Sequence, residues 1–240
     1  PVGKLVCEMA VPTIISMLVT AVYNLADTFF VGLMRSNAAT GAVGVVFSLM
    51  AIIQATGFFF GQGSGNYISR QLGRHETADA EKMAATGVTL AFLAGCVILV
   101  LGQIFLTPLA RLLGSTDTIL PYAESYARII LLAAPVMCAS FVLSNVLRAE
   151  GEATLSMYGM CVGGLLNVGL DPLFIFIFEM GIAGAALATA LSQLVSFLIL
   201  GWQFLHGRSI VRLRLQAVSR SLRDYGQILL IGFPTICRQG

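Results

Sequence analysis

The sequence predicts an all-α integral membrane protein: a lobe of six transmembrane helices followed by the start of a seventh. Three observations predict it. Apolar residues make up 57% of the 240-residue chain and charged residues only 11%, against roughly 45–50% and 25% in an ordinary soluble domain. The mean hydropathy is +0.87, so most of the surface must meet lipid rather than water. The apolar residues also gather into runs long enough for a helix to cross about 30 Å of hydrocarbon, which takes about 20 residues. They lack the sustained alternation of barrel strands.

Each span is bounded by turn or charged residues. The first covers 9–33 and ends at Arg35-Ser36-Asn37. The second, 42–67, is closed by the polar stretch from Arg70 to Lys82, and the third, 84–107, runs to Gly114-Ser115-Thr116-Asp117. The fourth, 122–147, stops at the charged turn from Arg148 to Glu152, and the fifth, 155–178, at Glu179-Met180-Gly181. The sixth, 182–205, leads into a longer polar stretch from His206 to Asp224. Lys4 and the first apolar run imitate a signal peptide, but five further runs are out of place in a secreted domain.

The predicted organisation is a six-helix lobe (1–205), a basic linker (206–224) and the start of a second lobe (225–240). The last assignment rests on a repeat. Ala10-Val11-Pro12-Thr13-Ile14 is echoed by Gly232-Phe233-Pro234-Thr235-Ile236 one full set of six spans later. An even number of spans returns the chain to the same side, so the second copy runs parallel to the first. The chain therefore reads as one lobe plus the first turns of a partner lobe whose remainder, the missing C-terminal lobe, it lacks.

Cations set the orientation. If loops alternate sides, one side collects Lys4, Arg70, Arg74, Lys82, Arg148, Arg208, Arg212, Arg214, Arg220 and Arg223, and the other only Arg35 and Arg111. The positive-inside rule then places the N-terminus and the 206–224 linker in the cytoplasm, and the protein in the cell membrane, the inner membrane of a bacterium. The alternating charge of Arg212-Leu213-Arg214-Leu215 suits either a linker held at the membrane surface or a lipid-sensing element.

Several chemistries are excluded or weakened. Cys7, Cys96, Cys138, Cys161 and Cys237 stand singly in apolar runs without ligand spacing, and read as small core hydrophobes. His75 and His206 sit at the ends of apolar runs, as interfacial residues do. No basic patch interleaved with aromatics points to nucleic acid. Gly61-Gln62-Gly63-Ser64-Gly65 lacks the strand before it and the Lys-Ser/Thr after it that a phosphate loop needs, so close helix packing is the expectation.

The sharpest signals are acids at membrane depth, each costing roughly 2.5–3.5 kcal/mol at mid-membrane. Asp27 and Asp171 are the two that no helix end explains. Asp27 lies eight residues before Arg35, Asp171 eight before Glu179, and Thr189 eight after Gly181. At 1.5 Å per residue all three sit about 12 Å below one boundary. Asn167 precedes Asp171 by one turn on the same face, and Asn24 and Tyr23 precede Asp27 in the same way. Pro172, lacking an N–H, leaves the Val168 carbonyl without its helical donor and favours a kink.

Two carboxylates, an amide and a hydroxyl form a hard oxygen set suited to a proton or to Na⁺ at Asp27, Asn167, Asp171 and Thr189. Tyr23, Asn24 and Gln54 are expected to line a cavity or to hydrogen-bond helix to helix. Arg128 either snorkels to the outer surface or neutralises a cavity acid.

These residues resemble a known family. Arg148-Ala149-Glu150-Gly151-Glu152-Ala153, continuing to Asn167-Val168-Gly169-Leu170-Asp171-Pro172-Leu173-Phe174-Ile175-Phe176, resembles the fourth-loop and fifth-helix signature of the multidrug and toxic compound extrusion (MATE) antiporters. Ala10-Val11-Pro12-Thr13 with Asp27-Thr28 resembles the family's first helix, and Ser69-Arg70-Gln71-Leu72-Gly73 the end of its second.

The resemblance extends over the whole chain. It implies twelve helices in two six-helix lobes around a V-shaped cavity, with extrusion of small cationic or amphipathic compounds driven by H⁺ or Na⁺. No cofactor is implied beyond that ion. In the branch with an acidic N-terminal lobe, the implied cation site falls on Asp27, Asn167, Asp171 and Thr189.

The expectation is thus a secondary antiporter working by alternating access, not an enzyme. Two alternatives stand beside it. One is a lipid-linked oligosaccharide flippase of the related superfamily, which calls for a cationic cavity; Arg128 is the interior cation the sequence offers. The other is an intramembrane enzyme using the paired aspartates.

Overall fold

The structure, a computed structural model, describes residues 2–213, 218–219 and 221–239. The chain folds as α1 (Val2–Gly32), α2 (Asn37–Gly73), α3 (Thr77–Ile104), α4 (Leu106–Leu112), α5 (Leu120–Ala149), α6 (Ala153–Pro172), a π turn (Leu173–Ile177), α7 (Ile182–Leu205) and α8 (Leu222–Gln239). Six segments are long and apolar enough to cross a membrane: α1, α2, α3, α5, α6 with its π turn, and α7. No strand occurs among the described residues.

Two boundaries differ from the expectation. The third span ends at Ile104, and α4 follows instead of a plain loop. Pro108 is the reason: it cannot donate to the carbonyl of Ile104, and its ring collides with it. The last helix begins at Leu222 rather than 225, after Ser221, whose carbonyl accepts from the Asp224 N–H at 3.1 Å. An acid in the first turn favours that start.

The central element is α5, which packs against α2, α3 and α7, while α1 lies on α6. Of its most apolar window 78% is buried, against 17% for α1, whose outward face is free for lipid or a partner. Gly95 permits the α3–α5 crossing, since a Cβ there would stand 2.5 Å from the Pro135 Cα.

Helix α5 ends in a Schellman turn at Gly151 (φ 91°), with Glu152 N–H on the Leu147 carbonyl and Gly151 N–H on that of Arg148. This left-handed position suits glycine. Arg148 and Glu150, two residues apart at the end of α5, face different neighbours.

The linker is docked on the lobe. Ser209 Oγ donates to the Glu150 carboxylate at 2.8 Å, and the Ile210 N–H donates to Glu150 Oε2 at 2.9 Å. The Arg212 N–H reaches Glu81, and the Ser219 N–H reaches Thr86 Oγ1. Lys82 pairs with Asp224 at 2.8 Å. Arg214, Leu215 and Arg220 lie outside the described residues.

Of the cysteines, Cys138 is buried, whereas Cys7 and Cys237 are exposed. Cys7 and Cys237 are therefore not core residues of this lobe.

Candidate functional site

Asp27 near the end of α1, Tyr126 in the second turn of α5, Asn167 and Asp171 on α6, and Thr189 on α7 meet in one half of the lobe. All are buried, Asp171 completely (0% exposed) and Asp27 at 7%. Tyr126 donates its hydroxyl hydrogen to Asp27 Oδ2 at 2.8 Å, and Asn167 Nδ2 donates to Thr189 Oγ1 at 3.1 Å. Asp171 follows Asn167 by four residues and so lies on the same face of α6. The five residues make a polar row of two hydrogen-bonded pairs, Asp27 with Tyr126 and Asn167 with Thr189, with Asp171 one turn from Asn167.

Local structure explains the convergence. Pro172 ends the α-helical ladder, and the chain reforms it as a π turn closed by the Phe178 N–H on the Leu173 carbonyl at 3.0 Å. Such wide turns are frequent at functional sites. This turn leans on α7 where Gly184 offers no side chain; a Cβ there would be 2.7 Å from the Phe174 carbonyl oxygen. The close approach brings Asn167 within reach of Thr189.

The row is short of donors. Asp27 Oδ1, Asn167 Oδ1 and both oxygens of Asp171 are buried without a hydrogen-bond partner. Buried acceptors rarely go unsatisfied, and each costs about 1–3 kcal/mol, more when charged. By its chemistry, such a set of hard oxygens suits a proton or a small hard cation. Among the described residues no group of three or more His, Cys, Asp or Glu is gathered as a metal cluster would be.

The remaining sequence-predicted residues divide. Tyr23 lines a small cavity of about 20 Å³ with Thr20, Phe141, Met160 and Gln193. Gln54 lines a larger one of about 250 Å³ toward the linker end of the lobe. Asn24 is half-buried and lines neither.

Arg128 is exposed on α5 and lines neither cavity, which agrees with the snorkelling alternative and not with a cavity counter-charge. The arginine in the cavity is Arg148, counted in the sequence only as a loop cation. Tyr126 was also unforeseen. Its signal was its depth, six residues into α5 from the same end of the lobe as Asp27.

A MatE family model matches residues 12–173. The chain belongs to the MatE family. Its relatives include Multidrug export protein MepA of Staphylococcus aureus (strain MRSA252), 27% identical over 234 residues, covering 98% of this chain and 52% of MepA. Multidrug export protein MepA of Staphylococcus saprophyticus subsp. saprophyticus is 30% identical over 234 residues, with 97% and 52% covered. A solved outward-facing structure of a multidrug resistance MATE family transporter of the MOP superfamily is 30% identical with a TM-score of 0.91, covering 98% of this chain and 52% of that one.

The chain thus spans about half the length of the curated relatives it matches, and its six spanning helices form a MatE N-terminal lobe. It is a multi-pass membrane protein of a transporter family, not of an enzyme family.

Proposed function

We propose that this lobe carries the coupling-ion site of an antiporter that exports cationic or amphipathic compounds in exchange for H⁺ or Na⁺. The observation behind the reading is the row from Asp27 to Asp171, with four buried oxygens awaiting a partner. The lobe then belongs to the acidic branch of the family. A cation entering between the acids cancels their repulsion and draws α1 toward α6. Substrate binding favours the opposite packing, and that difference in affinity couples the two fluxes.

The same reading takes residues 1–205 as one lobe, the linker up to 221 as a cytoplasmic strap, and α8 as the start of a parallel second lobe that completes the substrate cavity. The cation count supports a cytoplasmic N-terminus and linker. Proteoliposomes of the intact transporter, given pH and Na⁺ gradients separately, test it. Efflux follows one gradient and is lost in Asp27→Asn and Asp171→Asn; wild-type efflux in both variants rejects the assignment.

A lipid-linked oligosaccharide flippase is the second reading, favoured by the guanidinium of Arg148 at the cavity wall. Lipid flipping without exchange for H⁺ or Na⁺ selects it.

A further inference from the structure

We infer that the larger cavity, at the opposite end of the lobe from Asp27, is a binding site for an oxyanion carried on an apolar or aromatic body, with Arg148 as its anchor. The cavity holds about 250 Å³ and has walls from four helices, with Thr20, Gln54, Phe58, Phe141, Arg148 and Met160 among its lining residues. Phe58 and Phe141 stand with ring centroids 4.9 Å apart and make an aromatic wall. No acidic residue lines the cavity.

Arg148 is under-used where it stands. A guanidinium has five N–H donors and no acceptor. Here Nε donates to Ser156 Oγ at 3.3 Å and Nη2 to Met160 Sδ at 3.3 Å, both neutral and the second a weak acceptor. Among the described residues no carboxylate lies within ion-pair distance. Glu150, two residues on, is spent on Ser209 and Ile210 of the linker.

A partly buried charge without a counter-charge is costly, yet this one is held in place. Ser156, which accepts from Nε, is itself 2.6 Å from Ser144 Oγ. Such a cation beside an open volume recognises a carboxylate or phosphate through paired N–H donors. The aromatic pair and Met160 receive the apolar remainder of the same ligand.

The two ends of the lobe therefore carry opposite charge. Asp27 and Asp171 lie at one end and Arg148 at the other; the small Tyr23 cavity shares Thr20, Phe141 and Met160 with the larger one. A compound bearing a carboxylate or phosphate fits the Arg148 end, and a purely cationic one does not. This assignment is independent of the coupling ion, because binding here needs no gradient.

The test is equilibrium binding of tritiated 2-naphthoate to the intact transporter in detergent, with neutral 2-naphthamide measured beside it. Naphthoate is expected to bind at least tenfold tighter. Arg148→Gln abolishes that preference and leaves naphthamide unchanged, while Arg148→Lys keeps it but weakens naphthoate several-fold. Phosphatidylglycerol added to the micelles identifies the source: displacement of naphthoate, absent with phosphatidylcholine, points to a lipid phosphate, and no displacement to a free carboxylate solute. Equal affinity for naphthoate and naphthamide in the unmutated protein overturns the proposal without any variant, and so does a preference that survives Arg148→Gln.

Discussion

Tyr126 on α5 donates its hydroxyl hydrogen to Asp27 Oδ2 on α1 at 2.8 Å, although α1 makes its main contacts with α6. Among the described residues it is the one side-chain hydrogen bond Asp27 receives, since Oδ1 has none. Tyr126→Phe removes that donor without changing the ring. A hydrogen bond to a charged group contributes about 1.5–3 kcal/mol, so ion-driven uptake should fall roughly ten- to a hundredfold with the substrate KM little changed. An unaltered maximal rate in proteoliposomes would detach Tyr126 from the transport step.

Asp171 is buried with both carboxylate oxygens unpartnered. Asp171→Asn keeps the shape and removes the charge, so without coupling ion the variant should be more stable, by about 1–3 kcal/mol, while losing transport. Thermal unfolding in detergent at low Na⁺ reads the first effect as a higher midpoint. Raising the coupling ion should then stabilise the unmutated protein, as any ligand selective for the native state does, and leave Asp171→Asn where it was. A midpoint that rises equally in both proteins places the ion elsewhere.

The spans were legible because charges or turn residues bracket each apolar run, and the helical rise converts sequence distance into depth. That conversion put Asp27, Asp171 and Thr189 on one level, and the structure gathers all three. Depth carries no azimuth between helices, which is why Tyr126 escaped notice at the same level as Asp27. Arg148 escaped for another reason. Its sequence neighbours Glu150 and Glu152 suggest a solvated charge cluster, but Glu150, two residues on at the helical end of α5, does not face it, and Glu152 lies beyond the left-handed turn at Gly151. Pro108 was readable as a helix stop, but the apolar run continues past Ile104 and hid it.

Glu150 lies between the spans and holds the linker. Burial pushes its carboxyl above the usual glutamate range, while hydrogen bonds from Ser209 and from the backbone at Ile210 and Val211 pull the other way. Because the docked form has the higher pKa, this contribution to docking is full below the ordinary glutamate value and is lost as pH rises through the docked one. Exchange of the Ile210 amide, corrected for its intrinsic pH dependence, should therefore quicken just above the usual glutamate range. Glu150→Gln should flatten that profile, and Glu150→Ala should speed exchange about tenfold at every pH, as the loss of a hydrogen bond of about 1 kcal/mol or more implies. A pH slope that persists in Glu150→Gln assigns the effect to another group.

Helix α8 lies against α2 at Gly63, where an added Cβ would stand 2.3 Å from the Ile228 carbonyl oxygen, and Thr235 Oγ1 donates to Gln62 Oε1 at 2.9 Å. The obstacle at Gly63 is backbone, so no rotamer change relieves it, and Gly63→Ala must push α8 away. The expected loss is about 1–3 kcal/mol. Gly44 sits on the same helix with nothing within 4 Å of an added Cβ, and Gly44→Ala should instead gain roughly 0.5–1 kcal/mol from helix propensity. Both variants make the same chemical change in one helix, so the difference between their unfolding midpoints isolates the α2–α8 contact. Equal gains in the two would mean that α8 does not rest on α2 in the folded protein.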